Sequence, residues 1–140
     1  MTRVYIAAGL RREVRERAGG RCEYCLTPES VSFLSFEPDH IVAQKHGGAT
    51  EANNLALCCP LCNKHKGTDL ASVDPETGVV ALLYNPRRDL WRDHFHWVAL
   101  RLEGTTATRI PLTCAAGRSV RHCTSGANST THAGSTRAMR

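Results

Sequence analysis

The sequence predicts a small α+β domain stapled by a four-cysteine zinc site. Three observations point there: two Cys-x2-Cys pairs, Cys22/Cys25 and Cys59/Cys62, separated by residues 26–58; an apolar helical period near the N-terminus; and short stretches of strand-forming residues between Gly and Pro.

Leu10, Val14 and Ala18 recur at i, i+4 and i+8, which predicts an amphipathic helix over about 9–18, stopped by Gly19-Gly20. After the first knuckle, Val31–Glu37 is rich in β-formers and reads as a strand. Asp39–Ala43 reads as a second, ending before the loop marked by Gly47-Gly48. The second knuckle leads into one or two helical turns at Asn63–Gly67. Further on, a turn at Asp74–Gly78 precedes a strand over 79–84, then a short helix over 87–93 and a strand over 94–103, whose aromatic residues suggest a second small core. Beyond Pro111, Gly, Ser, Thr, Ala and Arg dominate without a hydrophobic period, the signature of disorder. The expected divisions are a helical region over 1–20, a finger over 21–70, a packed extension over 71–110 and a disordered tail over 111–140.

The formal charge is +5, but its distribution matters more than its size. The tail carries Arg118, Arg121, Arg137 and Arg140 and no acid, leaving 14 basic against 13 acidic residues in the first 110. High pI therefore supports only non-specific stickiness of the tail. Arg11, Arg12, Arg15, Arg17 and Arg21 could contact phosphate or simply solvate a helix face. The longest apolar runs fall far short of the roughly 20 residues that span a bilayer, and the N-terminus does not read as a signal peptide. A cytoplasmic location is expected.

Seven cysteines, an odd number, argue against a disulfide framework and for metal ligation in a reducing compartment. Each Cys-x2-Cys turn can bite one zinc ion, and two such turns complete its tetrahedron. Cys58 lacks the spacing to join them and is assigned to the core. Cys114 and Cys123 fall in the tail.

Asp39-His40 lies between the knuckles and Asn63 follows the last ligand. One zinc tying both knuckles would bring Asn63 near the strand carrying Asp39. Carboxylate and amide oxygens suit a hard cation such as Mg²⁺ or Mn²⁺. An imidazole, ordinarily titrating at about pH 6.5, can take a proton from water.

Together, Cys22-x-x-Cys25, Asp39-His40-Ile41-Val42, Gly47-Gly48, Asn53-Asn54-Leu55-Ala56-Leu57 and Cys59-x-x-Cys62-Asn63-x-x-Lys66-Gly67 resemble the HNH endonucleases. The resemblance implies a ββα-metal finger, often held by a four-cysteine zinc, that hydrolyses DNA to 5′-phosphate and 3′-hydroxyl ends. By position, Asp39 would ligate the catalytic ion and His40 would be the general base. Asn54 would fix the hairpin loop rather than touch substrate. Asn63 stands where many members have His, an HNN variant. Lys66 and His46 are candidate phosphate or substrate contacts; His65, two positions beyond Asn63, is a weaker ligand candidate. Asn85-Pro86-Arg87, Trp91, His94-Phe95 and Trp97 look like an extension found in some members, with Arg87, Arg88 and Arg92 as candidates to flank DNA. The competing expectations are a non-catalytic zinc module that only binds nucleic acid and an adaptor for another protein. Neither needs Asp39, His40 or Asn63.

Overall fold

The computed structural model describes residues 5–74 and 77–108, and the backbone of Ser119–Arg121. Helix α1 (Ala8–Ala18) follows the expected stripe: Val14 is fully buried, and Leu10 and Ala18 pack on the same core. The helix stops where Gly19 takes a left-handed φ of 59° and returns its N–H to Glu16 O.

The central hairpin differs from the expected one. Strand β1 (Glu37–His40) pairs antiparallel with β2 (Leu55–Cys58), in a register running from Glu37↔Cys58 to His40↔Leu55. The strand expected over 31–37 does not form; Glu29–Val31 makes one 3₁₀ turn and the chain then bends. Side chains take the bonds a neighbouring strand would have made. The Glu29 carboxylate accepts the Phe36 N–H at 2.7 Å, and Arg15 Nη2 donates to Phe36 O at 2.8 Å. The strand expected over 39–43 ends at His40 for a similar reason, because the Asn54 amide takes both backbone groups of Val42.

Strand β2 is buried at all four positions, with α1 packed across the hairpin. Helix α2 (Pro60–Lys66) follows, with Cys59 at its N-cap and Pro60 in its first turn, where a missing N–H costs nothing.

The extension adds the hairpin β3 (Ala71–Val73) and β4 (Val80–Leu82), the short helix α3 (Trp91–His94), and strands β5 (Phe95–Val98) and β6 (Arg101–Gly104). The single strand expected over 94–103 is thus two, turning at Ala99-Leu100, where Ala99 takes φ 52°. Its aromatics do not form a separate core. Tyr84, Phe95 and Leu102 belong to the same buried cluster as Val14, Tyr24, Phe36 and the knuckle cysteines, and Trp91 Nε1 donates to Tyr24 O at 2.8 Å. The expected tail lies outside the described residues except Ser119–Arg121, whose backbone forms β7 against β6. Among the described residues, no helix is long and apolar enough to cross a membrane.

Glu23, inside the first knuckle, joins the parts. Its carboxylate accepts the Leu57 N–H at 2.8 Å, pairs with Arg17 at 3.3 Å and meets the Arg87 guanidinium, while its side chain is only 13% exposed. Removing one member of such a buried network leaves uncompensated charge, costing on the order of 3 kcal/mol. Glu23→Ala is therefore expected to lower the urea midpoint without changing the slope of the transition. An unchanged midpoint would contradict this role.

Candidate active site

The four knuckle sulfurs all lie within 4.8 Å of one another, on residues that are buried without exception. A tetrahedral zinc with Zn–S of about 2.3 Å requires sulfur–sulfur edges of about 3.8 Å. Cys25 Sγ and Cys59 Sγ are 3.8 Å apart. Burial opposes ionisation of Cys22, yet hydrogen bonds from Cys25, Cys58, Cys59 and Cys62 hold its thiol well below the usual range. A buried set of four sulfurs, with Cys22 favoured as thiolate, could hold a zinc ion. Cys58 is buried as expected, and additionally hydrogen-bonds the Cys22 thiol. Cys114 and Cys123 lie outside the described residues.

The four-cysteine cluster joins the base of the hairpin to α2, and the loop between β1 and β2 shapes the other end. Asn54 spans that loop: its Oδ1 accepts from Val42 N at 3.0 Å, and its Nδ2 donates to Val42 O at 2.9 Å and Ala49 O at 2.8 Å. With its amide committed to backbone, Asn54 is placed to shape the loop. Gly48 passes so close that a Cβ there would stand 1.8 Å from Val42 O and 2.7 Å from the Asn54 amide nitrogen. Backbone cannot yield as a flexible side chain can. Gly48→Ala is expected to displace the loop and lower the melting temperature by several degrees, and an unaltered melting curve would contradict the close approach.

This loop carries Thr50, whose hydroxyl lies 2.9 Å from His40 Nε2 and accepts from Gln44 Nε2 at 3.0 Å. A hydroxyl oxygen has two acceptor sites, so it can take N–H donors from both Gln44 and His40. That tautomer leaves the His40 Nδ1 lone pair without a protein partner among the described residues. The sequence reading missed Thr50 and Gln44, since neither has a distinctive spacing.

Asp39 meets a cation from α2. Lys66 Nζ lies 3.1 Å from Asp39 Oδ2 and donates to His40 O at 2.7 Å and to Gly67 O at 3.3 Å. The expected phosphate contact of Lys66 does not fit this placement. Its side chain is 2% exposed, and its ammonium donates to two backbone carbonyls and lies in an ion pair with Asp39. Asn63 lies one turn earlier on α2, on the same face as Lys66. It lines a cavity of about 360 Å³ with Glu37 and Cys58, the residues that face each other across the β1–β2 pair. The structure thus brings Asp39 to Lys66, and Asn63 to the strand end beside Glu37.

Most of the basic cluster is occupied internally. Arg11 donates to Ile6 O, Arg15 to Phe36 O, Arg17 to Ala52 O and Leu55 O, and Arg21 to Leu26 O. Only Arg12 is committed to no more than an exposed pair with Glu16. The suggestion that Arg87 flanks DNA also meets a correction: it is turned onto Glu23, and burial, with Arg17 nearby, lowers its pKa to about 10. His46 and His65 are exposed, His46 on a 3₁₀ turn (Gln44–His46) and His65 on the outer side of α2.

Residues 22–69, about a third of the chain, match the family model described as HNH endonuclease. A search of curated proteins found no match. The matched segment contains both cysteine pairs, Asp39-His40, the Asn54 loop bracket and Asn63, so residues 22–69 are similar to an HNH endonuclease domain.

Proposed function

We propose that the chain is a metal-dependent endonuclease that hydrolyses DNA phosphodiesters, with His40 as general base and a structural zinc on Cys22, Cys25, Cys59 and Cys62. The observation that carries this reading is the His40–Thr50 contact within a segment that matches the family. Asp39 and Asn63 offer carboxylate and amide oxygens, a donor set that fits a hard divalent cation. Mg²⁺ or Mn²⁺ held there would stabilise charge on the phosphate and on the leaving 3′-oxygen.

The protein's own residues do the rest. His40 donates from Nε2 to Thr50 and takes a water proton at Nδ1. Gln44 fixes the Thr50 hydroxyl, which holds the imidazole ring at one angle. Lys66 faces Oδ2 of Asp39 as an ion pair at 3.1 Å, and that buried oxygen makes no hydrogen bond of its own. Because Lys66 also grips the carbonyl of His40, it clamps the catalytic strand onto the helix that carries Asn63. Asn54 holds the loop, and His46 is exposed on that loop, where substrate could meet it.

Thr50→Val keeps the shape and removes the hydroxyl. Loss of one orienting hydrogen bond is worth about 1 kcal/mol, or roughly fivefold to tenfold in rate. Plasmid nicking is expected to slow by that factor with little change in melting temperature. Unchanged nicking would show that Thr50 does not orient the base.

A further inference from the structure

Asp39 and Asn63 by themselves give a divalent cation little net charge to meet. The Asp39 carboxylate faces the Lys66 ammonium at 3.1 Å, and that lysine is 2% exposed, so solvent does little to screen the opposing charge. Asn63 brings an amide oxygen and no charge. Carboxylate, ammonium and amide together sum to zero, whereas hard divalent ions are held by anionic oxygens. A further anion would supply what is missing, and the fold places one.

Residues two apart on a strand share a face, so Glu37 stands on the same face of β1 as Asp39. Helix α2 lies along that face: Lys66 meets Asp39, and one turn earlier Asn63 shares a cavity with Glu37. Three side chains lining this cavity carry oxygen, namely the Glu37 carboxylate, the Asn63 amide and the Ser35 hydroxyl. Its one soft donor, the Cys58 thiol, is 1% exposed and engaged with Cys22. Neither lysine nor arginine is among its lining residues, in contrast to the Asp39 end of the strand. Hard oxygen donors around a charge that no neighbouring cation in the lining cancels suit Mg²⁺ or Mn²⁺ rather than zinc.

Resting on the nuclease reading above, we propose that Glu37 is a further ligand of the divalent cation, giving the ion that Asp39 and Asn63 hold the net negative charge it requires. A magnesium-type site built on one or two carboxylates is the ordinary pattern. Glu37 then sets how tightly the ion is held, while His40 sets how fast the held complex reacts.

The test titrates full-length, zinc-loaded protein with Mn²⁺, reading free Mn²⁺ by its electron paramagnetic resonance signal, and follows plasmid nicking against Mn²⁺ concentration. Glu37 is exposed, so Glu37→Gln is expected to keep its zinc and its melting temperature. It is expected to weaken Mn²⁺ binding by about tenfold to a hundredfold, the range seen when a group supporting a metal is removed. The Mn²⁺ concentration for half-maximal nicking should rise by the same factor, with the saturated rate changed only a few-fold. Glu37→Asp keeps the charge and is expected to recover most of the affinity. Equal weakening by Glu37→Gln and Glu37→Asp would mark a packing role and overturn the proposal. Unchanged Mn²⁺ affinity in Glu37→Gln, with affinity lost in Asn63→Ala, would overturn it and leave the nuclease reading standing. Weakened Mn²⁺ binding in Glu37→Gln, in a protein that never nicks DNA, would uphold the cation site and sink the nuclease reading. No Mn²⁺ bound by the unsubstituted protein would sink both.

Discussion

Cys22→Ser, or prolonged chelation, is expected to unfold the domain. The four sulfurs tie the first knuckle, the end of β2 and the start of α2 into one cluster, and all four residues sit within the single buried core. Zinc binding to such sites contributes on the order of 10 kcal/mol in small zinc peptides, comparable to the whole stability of about 5–15 kcal/mol of an ordinary domain. No other cross-link among the described residues takes over, since the five described cysteines are free thiols. Circular dichroism should show loss of helix in Cys22→Ser and after chelation, with recovery in the chelated protein on adding zinc. Elemental analysis should find one zinc per chain. Retention of structure without zinc, or no zinc in protein purified without chelator, would contradict the assignment.

The second large effect concerns catalysis. His40→Ala is expected to slow DNA nicking by about 10²–10⁴, the usual contribution of a positioned general base. Its side chain is partly exposed and its main contact is the Thr50 hydroxyl, so melting temperature and zinc content should stay near those of the unsubstituted protein. Added imidazole should restore part of the rate, because the missing group is a base and the space it leaves is shaped by Thr50 and Gln44. A stable variant with full activity would remove His40 from the mechanism. Loss of activity with loss of zinc would reduce it to a structural residue.

How much of this can be read from sequence depends on the range of each signal. The cysteine pairs are local patterns, and their clustering follows once both turns bind the same ion. The helix over 9–18 was likewise carried by a clean 3.6-residue period. Strand β2 was not read as one, because Leu55–Cys58 is buried on every side and lacks alternation. The opposite error arose at Val31–Glu37, where β-forming residues have no partner strand and Glu29 and Arg15 satisfy Phe36 instead. Of the proposed site, Asp39, His40, Asn54 and Asn63 are picked out by their order and gaps. Thr50 and Gln44 were not, since their role exists only when the loop folds back on His40. Lys66 is expected as a phosphate contact, whereas the structure sets its ammonium against Asp39 and the His40 carbonyl. Its place one turn after Asn63 was a clue that it shares the inward face of α2, whereas its burial becomes evident only in the fold. The arginines of α1 show the same limit, because backbone acceptors carry no mark in a sequence.

The central claim is that residues 22–69 form a working nuclease centre built on Asp39-His40. Its most direct test is the rate at which zinc-loaded protein nicks supercoiled plasmid, with Mg²⁺ or Mn²⁺ added or withheld, beside His40→Ala. The account predicts nicking that depends on the added ion and nearly disappears in the variant, while both proteins still bind DNA. Equal nicking by both would contradict it, as would DNA binding by both with cleavage by neither, the behaviour of a zinc module that only binds.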